Sequence, residues 1–187
     1  AGAIILGPRI GKYASDGKVL PIQGSNLPLA TLGTFILWLG WFGFNGGSQL
    51  YMDTAGNVAD ISRIFSNTNM AASAGAIVAL LLTQFLYKKA DLTMILNGAL
   101  AGLVSITAEP LEPSLRMSAL IGGIGGVIVV FGVPFLDKFK IDDVVGAIPV
   151  HLFAGIWGTI AVALTNDSAS FGTQIYSIII VGLFTLI

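Results

Sequence analysis

The sequence has no cysteine and a single histidine, and each shortage excludes a kind of functional site. Without cysteine the chain forms no disulfide, holds no thiolate-bound metal and offers no cysteine nucleophile. One histidine without a carboxylate cluster also argues against a metal site or a protease-like triad. We therefore expect neither an enzyme nor a protein that depends on a metal or a cofactor.

Charged residues are scarce as well, at 10% of the 187 residues, whereas soluble domains carry about 25%. The net charge of −1 argues against a nucleic-acid partner, because such partners are met by basic surfaces. Hydrophobic residues instead make up 55% of the chain, and the mean hydropathy is +0.86. Glycine is abundant, at 24 residues, which suits helices that pack closely within a membrane.

Long apolar stretches without a charged residue recur along the chain. A helix needs about 20 such residues to cross the hydrocarbon core of a bilayer. We predict an all-α, polytopic transmembrane bundle that forms one domain over residues 1–187. Five complete spans and a sixth, truncated one are predicted at residues 27–48, 68–87, 92–108, 117–136, 144–166 and from 171 onward.

Both ends of the sequence lie within apolar runs. The chain begins at Ala1 rather than at methionine, and it ends at Ile187. Residues 1–6 are expected to be the last turns of a preceding span, since Pro8 cannot continue a helix. We therefore expect the chain to be part of a longer membrane protein.

Basic residues are distributed unequally between the predicted loops on the two sides of the membrane. Because lysine and arginine stay on the cytoplasmic side, their distribution predicts orientation. The loop 9–26 is therefore predicted to be cytoplasmic, and the Ser48 end of the first span to lie outside. The side predicted to be cytoplasmic has seven basic residues (Arg9, Lys12, Lys18, Lys88, Lys89, Lys138, Lys140), and the other has two (Arg63, Arg116).

Three side chains of the first span share one helical face. Trp41, Phe44 and Ser48 follow one another at spacings of three and four residues, which places them above one another on a helix. Aromatic rings next to a hydroxyl and a glycine-rich end are typical of the lining and mouth of a path through protein. The alternative is an interfacial aromatic belt followed by a helix C-cap.

His151 lies in the fifth predicted span, and an ionisable side chain within a span is costly and often functional. A neutral imidazole has one donor and one acceptor nitrogen, so it can pass on a small polar molecule or a proton. The alternative is a core histidine that bonds a neighbouring helix. Pro149, two residues earlier, leaves the carbonyl of Val145 without its helical donor, which could bend the span near His151.

Other residues have mainly structural interpretations. Asp142 and Asp143 precede the fifth span and are expected to cap its N-terminus. Trp157 is expected to face lipid or the membrane interface. The pairs Gly98/Gly102 and Gly122/Gly126 have the spacing at which small residues let two helices approach closely.

Several motifs together resemble the ammonium transporter family (Amt/MEP, related to Rh proteins), and they follow in that family's order. The resemblance covers nearly the whole chain and implies the second of two inverted five-helix halves, with parts of the flanking helices. The stretches that carry it are GAIILGPRIGKY (2–13), LPLATLGTFILWLGWFGFNGGS (27–48), NTNMAASAGAIVALL (67–81), LNGALAGLVSITA (96–108) and DDVVGAIPVHLFAGIWGTIAV (142–162).

The resemblance also implies a function and a role for each candidate residue. Ser48 resembles the residue that recruits ammonium at the outer mouth, and Phe44 resembles one ring of a stacked phenylalanine gate. Trp41 resembles the tryptophan below that gate, and His151 resembles one of two pore histidines, whose partner would precede Ala1. Ammonium would give up a proton and pass as ammonia. The alternatives are an ammonium sensor fused to a signalling domain and an unrelated secondary transporter.

The resemblance further implies partners and a location. Family members form trimers with one pore in each subunit, accept methylammonium as an analogue and are often blocked by PII-type regulatory proteins. We accordingly expect a homotrimer in the lipid bilayer of the cell (inner or plasma) membrane, with no cofactor.

Overall fold

The helices of the chain follow the apolar runs of the sequence. A computed structural model of the protein describes residues 2–186, so Ala1 and Ile187, the predicted end points of two apolar runs, lie outside the described residues. Within that range there is no strand beyond one isolated antiparallel bridge, between Tyr13 and Val19. The elements are α1 (Gly2–Leu6), α2 (Leu27–Gly47), α3 (Ala55–Tyr87), α4 (Leu92–Thr107), α5 (Leu115–Lys138), a π-helical segment (Ile148–Phe153), α6 (Ala154–Thr165) and α7 (Phe171–Leu186).

The predicted all-α membrane architecture is confirmed. By length and composition, four helical stretches among the described residues could cross a bilayer: α2, α3, α5 and the continuous stretch Ile148–Thr165. Helices α4 and α7 are also apolar, but each has 16 residues and is therefore about 24 Å long. That they are spans as well stays a prediction.

Side-chain caps determine where four of the helices begin. In each case a side-chain oxygen of the residue before the helix accepts a hydrogen bond from a backbone N–H of the first turn, which otherwise has no partner. The capping residues are Asn26 before α2, Thr54 before α3, Asp91 before α4 and Ser114 before α5.

At two of the predicted spans the helix has other bounds than the span. The predicted span 68–87 is the apolar part of α3, which begins 13 residues earlier at Ala55 and is about 50 Å long. Its first turns contain Asp60 and Arg63, so hydropathy gives no signal there although the backbone is helical. The span predicted from residue 144 becomes helical only near Ile148, because residues 144–146 form a turn.

The core of the bundle is the contact of α3, α4 and α5, and it is built from small residues. A methyl group on Gly75 would collide with the carbonyl of Gly98, and one on Gly122 would collide with the carbonyl of Ala71. Backbones this close exclude any side chain, which confirms the expected packing role of the glycine pairs. The other members of the two predicted pairs lie at the same contacts, Gly102 against Ala71 and Gly126 against Gly75.

Trp157 does not face lipid, contrary to the prediction. Its ring packs against a buried cluster that includes Ile106, Ile121 and Ala161. Its indole N–H donates a hydrogen bond to the carbonyl of Ile121, at 3.0 Å. A partly buried indole is stabilised by such a partner, and α5 supplies it here.

A charged cluster joins the loop after α1 to the residues that precede the π-helical segment. The Asp142 carboxylate accepts hydrogen bonds from Arg9 Nε at 2.7 Å, Nη2 at 2.8 Å and the backbone N–H at 2.9 Å. These side-chain bonds lower the pKa of Asp142 to about 2. Asp142 is therefore an ion-pair partner and not the predicted cap, whereas Asp143 does cap, through the N–H groups of Ala147 and Ile148.

Asp137, at the end of α5, extends this cluster. Tyr13 donates its hydroxyl proton to the Asp137 carboxylate at 3.0 Å, and the ammonium of Lys12 lies 3.5 Å from the same carboxylate. Partial burial and the bond to Asp137 raise the pKa of Tyr13 to about 12. The loop after α1 is therefore held to the helical bundle at two points.

Candidate functional site

Three of the four candidate residues meet at one cavity, which has a volume of about 400 Å³. It lies where α2, the end of α4, the π-helical segment and α6 come together. Aromatic rings, one imidazole, two hydroxyls and small residues form its walls. The lining residues are Trp41, Phe44, Val104, Thr107, Ala108, His151, Gly155 and Thr159.

Trp41 and Phe44 form the α2 wall of the cavity. Their ring centroids lie 6.2 Å apart at an interplanar angle of 65°, an edge-to-face arrangement. The indole N–H of Trp41 donates a hydrogen bond of 2.7 Å to Oγ1 of Thr107, which itself donates to the carbonyl of Leu103. The indole is thus fixed by α4, while Phe44 remains 65% exposed.

His151 enters the cavity from the π-helical segment. This segment contains an i→i+5 hydrogen bond, from the N–H of Ala154 to the carbonyl of Pro149. Such wide turns are rare and are frequent at functional sites. The residue is exposed at the cavity in this chain, and its role in the pore stays a prediction.

The carbonyl of Val145, in the turn before the π-helical segment, accepts a hydrogen bond from a side chain of another helix. Asn97 of α4 donates a hydrogen bond from Nδ2 to the carbonyl of Val145, at 2.9 Å. The next residue of this turn, Gly146, has a φ of +77°, which favours glycine. Because residues 144–146 form a turn and Pro149 lies in the first turn of the helical segment, its missing N–H breaks no helical bond, contrary to the prediction.

Ser48 is not part of the cavity lining. It lies one turn beyond Phe44 at the exposed end of α2, and its hydroxyl donates a hydrogen bond of 3.0 Å to the carbonyl of Phe44. Its backbone N–H also closes the last turn on the carbonyls of Asn45 and Gly46. The C-cap interpretation therefore describes its backbone, and its role in recruitment stays a prediction.

Two hydroxyl residues of the site were not anticipated from the sequence. Thr107 ends α4, and Thr159 lies on α6, where its hydroxyl donates to the carbonyl of Gly155 at 2.9 Å. Both are ordinary helix residues in the sequence. They reach the cavity of Trp41 only because α4 packs against both α2 and α6, so the spacing of residues along one helix does not predict them.

Asn45 ties the end of α2 to α3. Both Asn45 and Thr68 are buried, and Nδ2 of Asn45 lies 3.0 Å from the hydroxyl oxygen of Thr68, to which it donates a hydrogen bond. The ring of Phe65 lies against Gly46, where a methyl group would collide with it. These contacts fix the end of α2 from which Phe44 and Ser48 extend.

The whole chain is similar to membrane transport proteins. The model of the Ammonium Transporter Family matches residues 1–186. A curated relative, ammonium transporter Amt2 of Archaeoglobus fulgidus, is 49% identical over 169 residues, which are 90% of this chain and 35% of the relative. The solved Sensor Amt Protein superposes with a TM-score of 0.88 at 38% identity, over 95% of this chain and 46% of that one.

Candida albicans Mep2, also solved, superposes with a TM-score of 0.76 at 29% identity, over 87% of this chain and 35% of its own. The chain thus spans less than half the length of each of these relatives. Family model, sequence identity and fold agree over nearly all of it. The chain is an integral membrane protein that belongs to the ammonium transporter family.

Proposed function

We propose that the protein moves ammonium across a membrane by conducting ammonia past Trp41, Phe44 and His151. The observation that carries the proposal is the cavity of about 400 Å³, whose lining combines two aromatic rings with an imidazole. Family membership and the names of the relatives support ammonium as the substrate. The protein carries out transport rather than catalysis.

The physical argument begins with the cost of moving an ion out of water. An idealised ion of this size loses on the order of 20 kcal/mol of solvation in an apolar medium. Cation–π contacts with rings such as those of Trp41 and Phe44 recover only about 0.5–2 kcal/mol each. Ammonium is therefore attracted to the mouth but gives up one proton before the narrow passage, and that proton either returns to the outer solution or is relayed separately. The neutral ammonia that remains exchanges hydrogen bonds with His151, whose imidazole has one donor and one acceptor nitrogen.

Ser48 recruits ammonium at the outer mouth in this proposal. Its hydroxyl proton is engaged by the carbonyl of Phe44 at 3.0 Å. The oxygen lone pairs are left to accept an N–H of ammonium, one turn above the ring of Phe44. The residue acts before the cavity, which is consistent with its position beyond the lining residues.

The orientation and partners of the protein are part of the same proposal. The loop 9–26 is cytoplasmic and the Ser48 end lies outside, as the distribution of basic residues indicates. The protein forms a homotrimer in the cell membrane, accepts methylammonium and is regulated by a PII-type protein, as the family resemblance implies. Rows of large apolar side chains on α2 and α7, such as Leu39 and Phe184, are exposed and available to lipid or to neighbouring subunits.

An ammonium sensor is the second candidate function. The similarity to the Sensor Amt Protein, whose fold matches over 95% of the chain, favours it. In a sensor the same cavity would bind ammonium, and a signalling domain after Ile187 would report the binding. A sensor predicts binding of ammonium without sustained flux.

Reconstitution of the full-length protein into liposomes distinguishes these functions. Liposomes that contain a pH dye receive a pulse of ammonium chloride, with potassium chloride as the control for selectivity. We expect an ammonium-specific internal pH change faster than in empty liposomes. A rate equal to that of empty liposomes, together with ammonium binding to the purified protein, would favour the sensor; the absence of both would refute the proposal.

A further inference from the structure

The three helices that line the cavity have their C-terminal ends on the same side of it. Helix α2 ends at Gly47, α4 at Thr107 and α6 at Thr165. The indole of Trp41, two turns before the end of α2, bonds the last residue of α4. A hydrogen bond between Asn166 and Glu109 joins the residues that follow α6 and α4. The last turns of all three helices therefore meet at the end of the cavity that we propose to be the outer mouth.

This end of the cavity is electrically negative. A helix C-terminus carries about half of an elementary negative charge, which a basic residue in the last turn can offset. In these three helices, all of them described by the structure, no last turn contains a basic residue. On the side proposed to be external, five acidic residues (Asp53, Asp60, Glu109, Glu112, Asp167) outnumber two basic ones (Arg63, Arg116). A cation is therefore favoured at this mouth and an anion is not.

Glu109 is the acidic residue that adjoins the cavity in the sequence, because it follows Ala108, one of the lining residues. Its side chain is partly buried and has two neutral donors. Nδ2 of Asn166 donates to one carboxylate oxygen at 3.1 Å, and the backbone N–H of Leu111 approaches the other at 3.4 Å. Within residues 2–186, no lysine or arginine forms an ion pair with this carboxylate.

The contacts of Glu109 do not require its charge. A carboxylate just after the end of a helix is repelled by the helix dipole, and Glu109 lies beside the ends of both α4 and α6. A glutamine would accept the hydrogen bond of Asn166 without this repulsion. The negative charge therefore weakens the local structure rather than supporting it, unless a cation approaches.

We propose that the carboxylate of Glu109 attracts ammonium to the outer mouth of the cavity. It acts through its charge, which raises the local concentration of the cation, whereas Ser48 accepts a hydrogen bond from it. The inference deepens the proposed function and rests on it. A role of Glu109 in joining α4 to α6 is the alternative, and it depends on the bond to Asn166 instead of the charge.

Two substitutions in the full-length protein separate the charge from the contact. Glu109→Gln keeps the reach to Asn166 and removes the charge, while Glu109→Asp keeps the charge and is one methylene too short for the contact. In liposomes at low ionic strength, Glu109→Gln should raise the ammonium concentration for half-maximal flux about two- to fivefold. Glu109→Asp should stay within about 1.5-fold of the unmodified protein. The reverse order of the two variants would overturn the proposal.

Salt supplies a readout that a purely structural role would not change. The Debye length is about 30 Å at 0.01 M ionic strength and about 3 Å at 1 M, so attraction between separated charges is lost in concentrated salt. The shift caused by Glu109→Gln should therefore disappear when potassium chloride is raised from about 0.01 M to about 1 M. A shift of the same size at both salt concentrations would refute attraction by charge.

Glu112→Gln is the matched control, because it removes the same charge from an exposed position of the same loop. It should shift half-maximal flux clearly less than Glu109→Gln does, and equal shifts would show a general effect of surface charge that contradicts a specific role. If the unmodified protein gives no ammonium flux, the transport function fails. The two glutamine variants are then compared by calorimetry of ammonium chloride binding, and equal affinities would overturn the role of Glu109 as well.

Discussion

At the scale of single residues, the site separates into side chains that face the cavity and side chains that hold them. Phe44 and His151 are exposed, whereas Trp41 is fixed from behind by Thr107. The exposed groups are free to contact a small polar molecule. The supporting groups determine the distances at which these contacts form, so the two classes predict different mutational effects.

Thr107 belongs to the supporting class. Thr107→Val keeps the shape of the side chain but removes the acceptor of the Trp41 indole N–H, which should lower stability by about 1 kcal/mol. The freed ring should also lower the maximal flux. Thr107→Ser retains the hydroxyl and is the control, and thermal unfolding with flux assays measures both effects. Equal behaviour of the valine and serine variants would contradict the role of the hydrogen bond.

Ser48 belongs to neither class in the structure, and its proposed role concerns capture. Ser48→Ala should raise the ammonium concentration needed for half-maximal flux by about three- to tenfold, the equivalent of roughly one hydrogen bond. The maximal rate should change much less, because the residue lies beyond the cavity. Flux measured over a range of ammonium concentrations tests this, and a proportionate loss at every concentration would argue against recruitment.

At the scale of helices, the bundle depends on close contacts of α3 with α4 and α5. Gly122→Ala places a methyl group against the carbonyl of Ala71, so α5 must shift away from α3. We expect a loss of about 1–3 kcal/mol in stability, as for overpacked cores. Gly40→Ala on α2 is the control because its methyl group would meet nothing within 4 Å. Thermal unfolding in detergent should separate the two variants, and equal unfolding temperatures would refute the packing argument.

The Arg9–Asp142 pair predicts how stability depends on pH. Arg9 lowers the pKa of Asp142 from 3.8 to about 2, so the pair contributes fully above the ordinary value. Its contribution should be lost as the pH falls from 3.8 towards 2, when the folded protein must take up the proton as well. Asp142→Asn, which removes the ion pair, should lower stability at neutral pH and show a flatter acid profile. Unfolding curves of the two proteins that run parallel from neutral to acid pH would contradict this account.

Features of the site that depend on the repeat of a single helix could be predicted from the sequence, whereas contacts between helices could not. The shared face of Trp41 and Phe44 followed from spacing alone, since it depends only on the helical repeat. Thr107, which accepts the Trp41 N–H, and Asn97, which donates to the carbonyl of Val145, both lie on α4. Their partners are on other segments, so the contacts depend on how α4 packs against its neighbours. Likewise, Trp157 was misassigned because an indole suits both the membrane interface and a core that offers a carbonyl.

The length of α3 was missed for a different reason. Its first three turns carry polar residues, including Asp60, so the uncharged apolar run that predicts a membrane span begins only later in the helix. The turn before the π-helical segment shows the opposite case. Pro149 predicts a broken helical bond from the sequence, but it lies in the first turn of the segment, where a backbone N–H has no helical acceptor and no bond is lost.

At the scale of the whole molecule, this chain supplies one wall of the proposed pore. It spans less than half the length of its relatives, and Phe44 and His151 are exposed on the open side of the cavity. Function must therefore be measured on the full-length protein. The loops on the two sides of the membrane differ in charge, because seven of the nine basic residues lie on the side that we propose to be cytoplasmic.

The most direct test of this account is the ammonium flux of His151→Ala in liposomes that contain the full-length protein. Leu152→Ala is the matched control, because Leu152 is the next residue, is 53% exposed and does not line the cavity. We predict that His151→Ala lowers ammonium flux at least about tenfold, the equivalent of one to two hydrogen bonds, while Leu152→Ala stays near the unmodified protein. Equal flux in the two variants, with both correctly folded, would contradict the proposal that ammonia passes His151.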